Sequence, residues 1–199
     1  MDEPKNISND FFVSRSSDNY VSINHWIGSH NEIPLFYMLE GYKRSTLILL
    51  EIISSSEEWS TKDSLVYPML FNFRHYLEIS MKDTLRYYRI SNREINSCGV
   101  GFKTEHKLLE IWKELKQYLP HNEDFSKLEC LLMSFDAVDH MSFSFRYPFD
   151  NPAKGEYSSK AKFIIDGVIR ADLDELSNNI KYLLEIFEGI NLCAATLLD

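Results

Sequence analysis

Residues 66–85 read VYPMLFNFRHYLEISMKDTL. Val66, Met69, Leu70, Phe73, Leu77, Met81 and Leu85 recur at three- and four-residue steps, the period of an amphipathic α-helix. Ser60 and Asp63 have capping-box spacing, so this helix is predicted to begin at residues 60–64 and to run to about Arg89. Pro68 lacks an amide hydrogen and belongs near the helix start; elsewhere it kinks the first turns. The apolar stripe is interrupted by Arg74, His75 and Glu78.

The same period extends in both directions. Upstream, Pro34 suits a first helical turn, and Leu35, Leu39, Tyr42, Thr46, Leu49, Leu50 and Ile53 follow before a Ser54-Ser55-Ser56 stop. Downstream, residues 91–103 read as a loop. Thr104 is placed as the N-cap of a third helix that buries Leu108, Leu109, Trp112 and Leu115 and ends at Pro120. A fourth helix is predicted over 122–136 through Phe125, Leu128, Leu132 and Phe135. The period then changes to two: Phe143, Phe145 and Tyr147 alternate with Ser142, Ser144 and Arg146. Pro148, Asn151, Pro152 and Gly155 supply turns ahead of Phe163-Ile164-Ile165. The last helix, capped by Asp172 and Glu175, carries Leu173, Leu176, Ile180, Leu183, Leu184, Phe187, Ile190, Ala194 and Leu197 on one side. The expected fold is all-α: an antiparallel helical bundle of about five helices, with a short β-like hairpin or flap before the last. It forms a single domain over 31–199, preceded by an irregular N-terminal arm over 1–30.

With 199 residues, 44% of them hydrophobic, the chain is long enough for one real core, and its composition excludes disordered, collagenous and disulfide-scaffold classes. Its net charge of −9 argues against a uniformly basic nucleic-acid coat. That charge is unevenly spread. Residues 1–63 carry 5 basic and 10 acidic groups and residues 108–199 carry 9 and 16, whereas residues 64–107 carry 7 and 4. The basic centre holds Arg74, Lys82, Arg86, Arg89, Arg93, Lys103 and Lys107. It reads either as an anion-binding region or as an ordinary solvated helix face. Cys98, Cys130 and Cys193 form no metal-binding pattern and are expected to be reduced thiols. The acidic, polar start and the short apolar runs predict a cytoplasmic protein with no membrane association.

Signatures of nucleotide, hydrolase, zinc and calcium sites are absent, and no cofactor or metal is expected. The chemistry-bearing candidates are few. Arg74 and Glu78 are four apart and share a helix face. Arg74 offers a bidentate phosphate donor, and the adjacent His75 offers a proton acceptor near neutrality. The plain structural reading is an intrahelical ion pair beside a half-buried histidine. His106, two residues after Thr104, is expected in a first helical turn, where the dipole favours a neutral imidazole. It serves as a base or as a side chain closing the loop. Arg146 lies between aromatics and either grips a carboxylate or faces a ligand. Arg86, Tyr87, Tyr88, Arg89 and Arg93 interleave cations with rings, which suits single-stranded nucleic acid as well as an ordinary helix end.

FRHYLE at 73–78, HKLLEIW at 106–112 and SFSFRYPFD at 142–150, in that order, resemble a group of small, largely uncharacterised bacterial helical proteins. These look like HEPN-type bundles. The resemblance implies a four- to five-helix bundle, frequently a homodimer, and often a metal-independent ribonuclease of toxin–antitoxin and phage-defence systems. The HEPN signature is an Arg and a His with four to six residues between them, and no arginine of this chain has a His at that spacing. Arg74 is instead adjacent to His75, with His106 the next histidine along. Two functions follow. In one, His75 or His106 deprotonates a ribose 2′-OH while Arg74 and Arg146 stabilise the phosphorane, with Glu78, Lys82, Arg86, Arg89 and Arg93 in the RNA-binding surface. In the other, Arg74, Glu78, His106 and Arg146 form a structural network in a non-catalytic module that binds a partner protein or nucleotide.

Overall fold

The computed structural model describes residues 35–95, 106–140, 142–147, 164–165 and 167–198, all within one compact unit, Leu35–Asp199. The arm expected over 1–30 lies outside the described residues. Five α-helices follow in order: α1 Leu35–Ser55, α2 Trp59–Ser91, α3 Leu108–Leu115, α4 Ser126–Val138 and α5 Leu173–Ala195. Short 3-10 turns extend α3 over Lys116–Tyr118 and α5 over Thr196–Leu198. The protein is all-α: no strand occurs among the described residues.

The long helix α2 is the axis of the fold, packing against α1, α3 and α5, while α3 also packs on α4. Met69, Phe73, Leu77, Met81 and Leu85 of α2 join Leu50 and Ile53 of α1, Leu108, Ile111, Trp112 and Leu115 of α3, Leu128 and Leu132 of α4, and Ile180, Leu183, Leu184 and Phe187 of α5 in one core. Each is nearly inaccessible, and burying a side chain of this size is worth about 1.5–3 kcal/mol. Rings meet edge to face at the centre: Trp112 lies 5.9 Å from Phe187 and 5.4 Å from Phe125. At the start of α5, Asp172 Oδ1 accepts the Glu175 amide at 2.9 Å, which realises the predicted cap.

Because helices surround α2, its C-terminal half is buried on almost every side, from Tyr76 to Arg86. An enclosed helix is ordinarily apolar all round. This one instead encloses Arg74, Glu78, Ser80, Lys82, Asp83, Thr84 and Arg86. Several of these pin neighbouring helices in register. Asn191 of α5 donates to Asp83 Oδ2 at 3.3 Å and to Thr84 Oγ1 at 3.2 Å, and Tyr76 Oη donates to the Leu184 carbonyl at 3.3 Å.

Three expectations are corrected. α2 starts at Trp59, one residue ahead of the predicted 60–64, and Pro68 lies inside it as the tenth residue. Pro68 is exposed, so solvent can satisfy the carbonyl one turn earlier that loses its partner. α3 starts at Leu108 with Lys107 as N-cap, which leaves His106 ahead of the helix rather than in its first turn; Thr104 lies outside the described residues. Residues 143–147 are not extended. Arg146 and Tyr147 both donate their amides to the Phe143 carbonyl, at 3.0 and 2.9 Å, so the alternating residues form a turn. Phe163 and residues 148–163 generally lie outside the described residues.

Candidate functional site

Arg74 is completely buried. Nη1 donates to Glu78 Oε2 at 2.8 Å, one turn on along α2. Nη2 donates to the main-chain carbonyl of His106, at the entry to α3. Nε stands 3.1 Å from Asp139 Oδ2, at ion-pair distance but outside hydrogen-bonding angle. Asp139 is the residue just past α4, so one guanidinium joins α2 to the start of α3 and the end of α4. Asp139 Oδ1 also accepts the Ser144 amide at 2.9 Å, and Ser144 Oγ donates to the Val138 carbonyl at 2.7 Å. Ser142, in the left-handed region at φ 63°, reverses the chain between these contacts. The Arg74–Asp139 pair therefore anchors the turn at 142–147 to the core.

Glu78 is the second node. Its Oε1 lies 2.8 Å from Lys82 Nζ and 2.8 Å from His106 Nδ1. Burial, the largest single effect on this carboxyl, pushes its pKa up. The hydrogen bonds from Lys82 and His106, with the charges of Lys82 and Arg74, outweigh it and hold Glu78 below its ordinary value. His106 is oriented by this contact, yet its side chain is 62% exposed. Its imidazole is a solvent-exposed ring at the edge of the cluster.

His75 points elsewhere. It stacks on Phe71, with centroids 5.3 Å apart and planes at 26°, and meets Tyr42 of α1 edge-on at 4.8 Å. Burial is the main reason its pKa falls below 6.5. The charge of Glu78 opposes the fall, and Arg74, Arg146 and His106 reinforce it. His75 is therefore neutral at pH 7, and its buried Nδ1 has no hydrogen-bond partner. Arg146 is exposed; its Nε donates to the Ser142 carbonyl at 2.7 Å, and its guanidinium lies over Phe143, Tyr147 and Phe71 at 5.2, 5.6 and 5.8 Å. Phe71 thus carries Arg146 on one contact and His75 on another.

The structure brings Arg74, His75, Glu78, Lys82, His106 and Arg146 into one neighbourhood. It separates them by accessibility: Arg74, Glu78 and Lys82 are enclosed, whereas His106 and Arg146 reach solvent. Two further cations of the basic centre are matched by carboxylates. Arg86, buried, pairs with Asp83 at 3.1 Å, and Arg89 pairs with Glu114 and lies 3.8 Å from Glu94. Arg93, exposed, sits in the turn after α2 at φ 60°. Sequence reasoning missed Asp139, which is 65 positions from Arg74 and has no periodic signal. It also missed Phe71, which falls outside the apolar stripe, and Tyr42, which read as a stripe residue.

Among the described residues no cluster of His, Cys, Asp and Glu could hold a metal ion, and no helix is long and apolar enough to cross a membrane. Cys130 and Cys193 are free and exposed. The chain matches no family model, no curated protein and no solved structure.

Proposed function

We propose that this chain is a HEPN-like helical interaction module of a bacterial stress or phage-defence system, in which the cluster around Arg74 is a structural brace rather than an active site. The observation that carries this reading is the enclosure of Arg74. A phosphate-binding arginine must present its donor fork to the ligand, and this fork is occupied by Glu78, Asp139 and the His106 carbonyl. To reach RNA, Arg74 would have to leave two buried carboxylates behind, each at a cost of several kcal/mol. The pairing of Lys82 with Glu78, Arg86 with Asp83 and Arg89 with Glu114 adds to this: the α2 cations from Lys82 to Arg89 are matched within the fold. The antiparallel bundle arrangement and the module's partner, protein or nucleotide, belong to the same reading.

The second reading, a metal-independent endoribonuclease, is favoured by one observation. His106 has Nδ1 on a buried carboxylate and an exposed ring, the arrangement of an oriented general base, with Arg146 as an exposed cation nearby. In it, His106 Nε2 takes the proton of a ribose 2′-OH, which attacks the adjacent phosphorus. The P–O5′ bond breaks, the 5′-oxygen takes a proton from water, and Arg146 stabilises the added charge. One assay separates the two. Unstructured RNA is incubated with the wild type, His106→Ala and Arg146→Ala in EDTA, and the new ends are identified. The module leaves the RNA intact. Cyclic-phosphate ends that vanish in both folded variants establish the ribonuclease.

A further inference from the structure

Arg44, Arg74, Arg86 and Arg89 each lie against a carboxylate. Arg146 lies against rings instead: its guanidinium carbon is 5.2 Å from the Phe143 centroid, 5.6 Å from that of Tyr147 and 5.8 Å from that of Phe71. A guanidinium carries five N–H donors. Here Nε donates to the Ser142 carbonyl at 2.7 Å, and the Nη groups have no partner among the described residues. The surrounding rings are open as well. Phe143 is 38% exposed, Tyr147 55%, and Tyr67, one turn before Phe71 on the same face of α2, 50%.

This cation is held in place. The Ser142 carbonyl fixes one edge of the guanidinium, the rings flank it, and the turn that carries it is tied through Ser144 and Asp139 to the buried Arg74. A donor fixed in advance avoids the ordering cost that a flexible surface arginine meets on binding. Arginine grouped with exposed aromatic side chains is also the composition of an interface hot spot, where rings exclude water from a central charge. The free Nη edge matches a planar carboxylate, two N–H groups to two oxygens. The rest of the fold selects among anions. A nucleic acid needs a row of cations, and phosphorylated motifs are taken up by clusters of arginines. Arg74 and Lys82, by contrast, are buried and matched by Glu78 and Asp139, and the chain's net charge of −9 repels a polyanion. One exposed fork among rings suits a single carboxylate.

We propose that Arg146, with Tyr67, Phe71, Phe143 and Tyr147, is the docking point for a partner protein that presents an Asp or Glu side chain beside an apolar residue. The carboxylate takes the Nη fork and the apolar side chain covers the exposed rings. This inference rests on the module reading above and gives the module's partner its chemistry: an acidic side chain rather than a nucleotide.

The test selects a displayed library of random heptapeptides on the full chain, with Arg146→Gln as the counter-target. The enriched sequences are then synthesised with amidated ends and titrated calorimetrically. They share an Asp or Glu next to an apolar residue. Changing that acid to its amide, or Arg146 to Gln, weakens binding at least ~10-fold. Arg146→Lys also weakens it, because an ammonium keeps the charge without the fork. Tyr147→Ala costs about 2–5-fold. Arg146 and Tyr147 are exposed, so the far-UV circular dichroism of these variants matches the wild type. A library with no peptide that prefers wild type to Arg146→Gln overturns the proposal. So does a consensus without an acid, full affinity in Arg146→Lys, or a phosphoserine peptide or unstructured RNA that binds through Arg146 more tightly than any acidic peptide. The module reading fails separately, by the RNA cleavage described above; intact RNA together with no acidic peptide removes this docking point alone.

Discussion

Replacing Arg74 with Met keeps the length and apolar stem of the side chain and removes its charge and all its donors. Glu78 then keeps Lys82 and His106 but loses its Nη1 partner, and Asp139 keeps the Ser144 amide but loses its cation. The His106 carbonyl also loses its donor. Breaking a buried ion pair by deleting one partner costs about 3–5 kcal/mol. The surviving bonds to both carboxylates place this variant near the low end, at about 3 kcal/mol. That is a large share of a total stability of about 5–15 kcal/mol. At ~2–4 °C per kcal/mol for a chain of this size, the melting temperature falls by about 6–12 °C. Urea denaturation followed by far-UV circular dichroism gives the first number, and a thermal scan the second. Adding Asp139→Asn removes one stranded charge and recovers about 1 kcal/mol. A loss below about 1 kcal/mol, with no effect of the second substitution, would refute the brace.

Other perturbations probe separate parts of the structure. The folded-state pKa of His75 is lowered, so its contribution to stability is fully present above its unfolded value of 6.5 and is lost as pH falls through the lower folded value. Thermal stability therefore drops on acidification through that window, and His75→Phe flattens this part of the pH profile; an unchanged slope contradicts it. Glu78 is also lowered, from 4.5, so a second loss appears at more acidic pH and is absent in Glu78→Gln, whose stability at pH 7 is already reduced. Asp172→Ala removes the α5 N-cap and costs about 1 kcal/mol by urea denaturation; Asp172→Ser, which can still cap, costs a few tenths. In Asp139→Ala the turn at 142–147 loses both its anchor to Arg74 and its amide acceptor. Amide exchange at Ser144 and Arg146 accelerates while that of α5 does not; equal protection in the variant counts against the anchoring role.

The helices were readable because burial leaves a periodic trace. The stripe from Met69 to Leu85 and the one from Leu173 to Phe187 both lie in the core, and the Asp172 cap is a local hydrogen bond three residues long. What governs the polar cluster leaves no such trace. Arg74 and Glu78 read as a margin pair because their spacing is local. Their enclosure depends on Asp139 and the His106 carbonyl, which are brought in by α3 and α4. For the same reason Lys82 and Arg86 looked like surface cations, although α2 runs through the middle of the fold. The turn at 142–147 misled through its pattern. Its alternation does not follow burial: the polar Ser142 and Ser144 are buried, Phe143 and Tyr147 are exposed, and Phe145 meets Phe135 at 5.7 Å. His106 was assigned to the first turn of a helix that starts two residues later.

The burial of Arg74 is most directly measured at its own guanidinium. In a ¹⁵N-labelled sample, the Nε–H resonance of Arg74, assigned by its loss in Arg74→Lys, can be followed for exchange with water and for shifts on adding RNA. A brace gives a resonance that is slow to exchange and unmoved by RNA. A signal that exchanges as fast as that of the exposed Arg146, or shifts as RNA is titrated in, contradicts a structural role for Arg74.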